Sequence, residues 1–259
     1  MCTRNLGKRI PLALFYKNRY DFPNDTSVGT MRGLCIVSLI ILLTLGCASQ
    51  NQTAEGIRYY GQAQYDHAIT AFQSVLKENP NDPNTLYNIA ATYHQSARSS
   101  LQTGQAAAAQ QQYGQALQYY QLCLAKNANH ADAYRGLAAL YMDCQNPEAA
   151  FKLLIDWYNA NPVSVEPKIE LARLYQEFTQ ICMLQGRSEV AQQYRDTPEK
   201  LLLQALAIEP ENYRALRALG YLKEQNGDIS EAVADYKRSL QAHPQQQDVA
   251  DRITALLQQ

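Results

Sequence analysis

The chain has 259 residues, a formal net charge of -1, 18 tyrosines against a single tryptophan, and much Ala, Gln and Leu. The near-neutral charge gives no footprint for a nucleic-acid partner, and no β-branched alternating run is long enough to build a sheet. What remains is helix-forming material, enough for one extended core or two small ones.

In chain order, residues 1–30 form a long leader with a turn-like break at Phe22-Pro23-Asn24-Asp25, and translation is expected to begin at Met31. Met31-Arg32-Gly33 then precedes twelve uncharged residues, Leu34 to Leu45 (LCIVSLIILLTL), followed by Gly46-Cys47. Twelve residues are too few to span a bilayer, which takes about 20. A positive residue, a short apolar core and a small residue before a break are the parts of a secretory signal. The bland alternative is an uncleaved anchor or a buried apolar helix. Thr44-Leu45-Gly46-Cys47 resembles the lipobox of bacterial lipoproteins. The resemblance implies a signal peptide over 31–46, acylation of Cys47, and a tether over 47–52. Ala48, in place of Asp, implies an outer-membrane site facing the periplasm. Two or three acyl chains hold a protein durably where one holds it marginally, at about 0.8 kcal/mol per buried methylene. From Cys47 onward the chain has 17 Lys+Arg and 22 Asp+Glu, a net charge of -5, which suits a soluble body.

Beyond residue 48 the sequence repeats. Helix-closing prolines stand at Pro80, Pro162, Pro210 and Pro244, with Ala128 where one more would fall, so that a long step and a short one alternate along the chain. The long step is forty-eight positions and the short one thirty-four. The places of one recurring pattern are filled by Gly56, Tyr59, Tyr65, Ala68, Phe72 and Pro80 in 49–82, and by Tyr134, Leu137, Ala138, Tyr141, Ala150 and Pro162 in 131–164. They are filled again by Leu216, Leu219, Gly220, Gly227, Ala232, Tyr236 and Pro244 in 213–246. These residues and the shorter period resemble the tetratricopeptide repeat, a helical hairpin with small residues where its two helices cross. Units 83–130 and 165–212 read as the same hairpin with a fourteen-residue insertion at its tip. Seven per arm lengthens each helix by about two turns and keeps the buried face in register. Gly104 and Gly186, Ala90 and Ala172, Tyr93 and Tyr175, and Arg135 and Arg217 all match at one common offset, so 83–164 and 165–246 resemble a duplication.

Pro198 stands where the first long hairpin has Ala116. It predicts a break, with Asp196 or Thr197 capping a fresh helix. Residues 247–259 predict a capping helix with Val249, Ile253 and Leu256 or Leu257 on its apolar face. The resemblance implies an all-α, right-handed superhelical solenoid of about five hairpins, the array running over 53–246, plus this cap.

Catalysis needs convergent groups, and His67, His94, His130 and His243 have no paired spacing. No glycine-rich phosphate loop, nucleophile elbow or metal-ligating pair is present, so neither an enzyme nor a cofactor is expected. Cys123 reads as a buried thiol. Cys144 and Cys182 lie on first helices of neighbouring repeats, but their offset along those helices argues against a bond.

In tetratricopeptide-repeat proteins the first helices of the hairpins line the ligand groove. Matching positions place Asn84, Tyr87, Ala91 and His94, then Asp132, Arg135, Ala139 and Met142, then Glu166, Ile169 and Arg173, then Arg214, Arg217 and Tyr221 along it. The four arginines with nearby tyrosines suit an acidic or aromatic peptide; the bland reading is that they solvate a helix face. The tips near 96–112 and 179–194 should project as two ridges with the Cys144-Gln145-Asn146-Pro147 turn between them. The expectation is a membrane-tethered adaptor that binds a protein or peptide in the periplasm. The alternatives are an outer-membrane or pilus-assembly lipoprotein of pilotin type, and a docking subunit for cell-wall hydrolases.

Overall fold

The computed structural model describes residues 51–258. The expectations for the leader 1–30, the signal segment 31–46 and Cys47 lie outside the described residues. Residues 51 and 52, expected in the tether, are already helical. Every regular element among the described residues is an α-helix, and none is long and apolar enough to cross a membrane. The chain divides into two compact units, the first ending at His130 and the second starting at Ala131.

The first unit holds α1 (51–61), α2 (Tyr65–Glu78), α3 (Pro83–Gln102) and α4 (Ala106–Lys126). α1 and α2 meet where Gly56 faces Phe72: a Cβ added at Gly56 would lie 2.5 Å from the Phe72 ring, so only glycine lets the fully buried ring fill the crossing. α3 and α4 form the first long hairpin. Asp82 caps α3 by accepting from the amides of Asn84 (3.3 Å) and Thr85 (3.0 Å), and Pro83 occupies its first turn. Ala90, Ala97, Ala109 and Ala116 are fully buried between the two rods, and Tyr113 and Tyr120 fill the spaces between these small residues.

The second unit holds α5 (Ala131–Asp143), α6 (Pro147–Ala160), α7 (Glu166–Leu184), α8 (Ser188–Tyr194), α9 (Thr197–Ile208), α10 (Tyr213–Asn226), α11 (Ile229–Ala242) and α12 (Gln247–Leu257). Its main core joins α5, α6, α7, α9 and α10 around Leu154, Trp157, Ile169, Leu202 and Leu219. Gly220 repeats the role of Gly56. A Cβ there would approach the Tyr236 ring to 2.8 Å and the Ala232 carbonyl oxygen to 3.1 Å. The second long hairpin breaks before Pro198, as its proline predicts, but Asp196 makes no side-chain cap bond. α12 closes the unit through Val249, Ile253 and Leu256, whereas Leu257 is exposed.

One feature of the turns was hidden in the sequence. Ala63, Gly104, Gln145, Gly186 and Gly227 all have left-handed backbones, and they are evenly spaced along the chain, forty-one positions apart. After each, the next amide bonds the carbonyl five residues back: Gln64 to Tyr59 (2.9 Å), Gln105 to Ser100 (2.8 Å), Asn146 to Tyr141 (2.9 Å), Arg187 to Cys182 (2.8 Å) and Asp228 to Lys223 (2.9 Å). This is the Schellman closure of a helix C-terminus. Insertion in the arms lengthens alternate hairpins and leaves this stop unchanged.

Candidate functional site

The expected groove residues fall in both units. In the first, Asn84 is exposed and its side-chain oxygen lies 3.1 Å from Nε2 of His130, while Tyr87 is half-buried and stacks on the His130 ring at 5.2 Å. His94, expected on the same surface, is instead buried, with its Nδ1 3.4 Å from the Tyr120 hydroxyl and its ring edge-on to Tyr113 and Tyr120. α3 carries His94 on the side that meets α4, so the long second arm covers it.

In the second unit, three of the four arginines converge. Glu170 of α7 is 2% exposed, and Arg135 of α5 donates Nε to both of its oxygens (3.0 Å each) and Nη2 to Oε1 (2.8 Å). Arg214 of α10 also donates to Glu170, and to Glu166 one turn earlier on α7. Arg173 stands 3.9 Å away on α7 itself, and Arg135 further pairs with Asp132 at 2.9 Å. First helices of three successive hairpins are thereby joined at one buried carboxylate. Burial alone would push Glu170 up, but Arg135, Arg173 and Arg214 together outweigh it and hold the carboxyl down to about 2. An isolated charge at this depth would be prohibitive; with charge-assisted hydrogen bonds from two helices it is satisfied.

The remaining expected residues lie around this knot. Arg217 pairs with Asp248 of α12, Tyr221 packs against the cluster under α12, and Met142 packs against the main core. Ile169, expected to face the groove, is 1% exposed. It sits in a run from Pro167 to Ala172 that is buried throughout, because α5, α6, α9 and α10 all pack on α7. The arginines are therefore not a solvated fringe: Arg135 and Arg214 are each 23% exposed with their forks turned to carboxylates. Sequence reasoning missed Glu170. Its one available signal was an acidic residue four positions after Glu166 on the helix facing Arg135 and Arg214.

The charge is unevenly spread. Residues 51–130 contain four acidic and four basic side chains, whereas 131–259 contain 18 and 13, so the net charge of -5 carried from Cys47 onward belongs to the second unit. Of the two cysteines expected on first helices, Cys144 lies in the turn just after α5, and Cys182 is a fully buried free thiol, so no bond joins the two. Cys123 is buried and its sulfur lies 3.1 Å from the Pro83 carbonyl oxygen. No group of His, Cys, Asp or Glu among the described residues is arranged to hold a metal ion.

Hairpins of this kind, with glycine or alanine at each crossing and a common turn, define a helical-repeat protein. Two tetratricopeptide-repeat family models match the chain, over residues 107–167 and 183–246, and the chain carries tetratricopeptide repeats. Among solved structures it is similar to a thermophilic TPR protein of Thermus thermophilus, at 27% identity and TM-score 0.54, covering 82% of this chain and all of that one. It is also similar to the MamA protein (20% identity, TM-score 0.39, 78% and 96% covered). A third similar structure is YrrB, described as a TPR protein with an unusual peptide-binding site (10% identity, TM-score 0.38, 78% and 89% covered). No curated protein matches the chain. Tetratricopeptide repeats mediate protein–protein contacts, which places the chain among binding and scaffolding proteins.

Proposed function

We propose that the chain is a lipid-tethered adaptor that holds a protein or peptide partner on the first-helix face of its second unit. The observation that carries this reading is the knot at Glu170. A face whose three helices are already fixed to one another loses little conformational freedom on binding, and preorganisation of that kind raises affinity without enlarging the interface. The tether rests on the sequence alone: the apolar run 34–45 and the Thr44-Leu45-Gly46-Cys47 match support acylation of Cys47, export, and an outer-membrane location facing the periplasm. Catalysis forms no part of this reading.

Two measurements test it separately. A Cys47→Ser chain should leave the membrane fraction after a carbonate wash; if it stays, the tether is refuted and the adaptor reading stands. A photo-crosslinking residue at Arg217 or Tyr221, followed by mass spectrometry, should capture one defined protein, competed away by excess unlabelled chain. Capture at the same yield from a site on the outer side of α11 would refute the face. Crosslinks to a secretin or an outer-membrane barrel would favour the pilotin-type alternative, and crosslinks to a cell-wall hydrolase would favour the docking subunit.

A further inference from the structure

The two long hairpins share a plan, and one of their differences falls on the backbone of the returning arm. In the first, α4 runs unbroken for 21 residues, and Ala109, Tyr113 and Ala116 are buried against α3 out toward the tip. In the second, Pro198 replaces alanine at the matching place. Its nitrogen carries no hydrogen, so the Tyr194 carbonyl has no partner four residues on, and the ring crowds the turn before it. The returning arm accordingly splits into α8 and α9, with Arg195 and Asp196 between them.

The two pieces are anchored very differently. α9 sinks Leu201, Leu202 and Ala205 into the main core. α8 has seven residues and buries Ala191 alone, with Tyr194 half-buried against Tyr175 (5.5 Å) and Phe178 (6.1 Å). A helix of two turns does not hold itself together in water, so its order depends on those few contacts. In the first hairpin the arms are tied by Ser100, which donates to Gln112 across them at 2.9 Å. The matching places in the second hairpin hold Cys182 and Tyr194, which cannot form that tie strongly. Beyond them the tip is already apolar: Met183 and Leu184 are 67% and 69% exposed.

We infer that residues 185–196 form a hinged flap which opens about Asp196-Thr197 without unfolding the rest of the second unit, uncovering the Cys182 thiol and enlarging the apolar surface begun by Met183 and Leu184. The first ridge has no such flap. Local openings belong to segments with little buried apolar contact, a description that fits α8 and not α4. The inference does not depend on the adaptor reading, since it concerns the free chain.

The test uses the full-length chain and two readouts resolved by peptide mass spectrometry. Amides of 188–194 should exchange at least 100-fold faster than those of 108–116 in α4. Cys182 should be alkylated by iodoacetamide at least tenfold faster than Cys123. Pro198→Ala, which restores the amide to the Tyr194 carbonyl, should slow Cys182 at least fivefold and leave Cys123 unchanged. Equal protection of the two tips, or one common alkylation rate for both thiols, overturns the inference, as does a folded Pro198→Ala chain whose Cys182 reacts as before. Should that variant not fold, the exchange and alkylation contrasts in the unaltered chain decide the matter.

Discussion

Glu170→Gln keeps the shape of the side chain and removes its charge, leaving Arg135, Arg173 and Arg214 around a neutral amide. Holding the carboxyl at about 2 instead of its ordinary 4.5 corresponds to about 3 kcal/mol in favour of the ionised folded state. Removing one member of a buried ion pair costs about 3–5 kcal/mol, so the two routes agree. For a cooperative unit this size that is a fall in melting temperature of about 6–12 °C. The sign with pH follows from the depressed value. The carboxylate contributes fully above its unfolded value near 4.5 and loses its contribution as pH falls through that value toward 2. The gap between the unaltered chain and Glu170→Gln should therefore be about 3 kcal/mol at pH 7, about half that at pH 3, and near zero below pH 2. Urea titrations followed by circular dichroism at each pH measure it, and amide exchange localises it to α5, α7 and α10. A loss under about 1 kcal/mol at pH 7, or one of equal size at pH 3 and pH 7, would refute the account.

The turns make a prediction of opposite sign. Gln145 has φ +55°, a conformation that disfavours side chains by about 1–2 kcal/mol; after the entropy that glycine adds to the unfolded chain, Gln145→Gly should gain about 0.5–1 kcal/mol, and Gly227→Ala should lose about 1, both read from urea midpoints. Glycines inside helices divide likewise: Gly220→Ala forces a Cβ into the buried Tyr236 ring and should cost about 1–3 kcal/mol, whereas Gly114→Ala, with nothing within 4 Å, should gain about 0.5–1. At 1 M salt the Debye length falls to about 3 Å, so amides of α12, held partly by the exposed Arg217–Asp248 pair, should lose protection while those of α7 keep theirs.

Much of the fold was legible because close helix crossings restrict the sequence. Gly56 and Gly220 sit where any side chain would meet Phe72 or Tyr236, Ala68 and Ala232 are fully buried, and a steric requirement of that kind recurs visibly at a fixed spacing. Pro198 was legible for an equally local reason, the missing amide hydrogen. The left-handed residues were not. Three are glycine, but Ala63 and Gln145 are ordinary residues carried into the same turn by the helices on either side, and nothing local marks them. His94 and Ile169 were misplaced by assuming that matching positions on first helices face one common surface. α7 is covered on several sides at once, and a position that is open on a peripheral helix is closed on a central one.

The arginines show where the duplication stops carrying information. Arg135 and Arg217 occupy the same place in the two halves, and each reaches the helix that follows its own hairpin, α7 for Arg135 and the closing helix α12 for Arg217. For Arg135 that helix offers Glu170. For Arg217 the corresponding place holds Arg252, which repels it, so Arg217 pairs one turn earlier with Asp248, the counterpart of Glu166. Arg252 turns instead to Glu224 on α10, donating Nε to Oε2 at 2.9 Å, and these bonds, with one from the Tyr236 hydroxyl at 3.0 Å, draw the Glu224 carboxyl below its usual range. One exchanged charge thus moves the acceptor by a turn and changes the setting from buried to exposed, since the Arg217 and Asp248 side chains are 48% and 60% open to solvent. Repeat spacing fixes where a donor stands; what it donates to depends on a residue in the adjoining helix, one turn away. The arginine positions alone therefore cannot distinguish a ligand clamp from an internal lock. At Arg135 and Arg214 the depth of Glu170 decides for the lock, and a partner on this face would meet a surface stiffened from beneath.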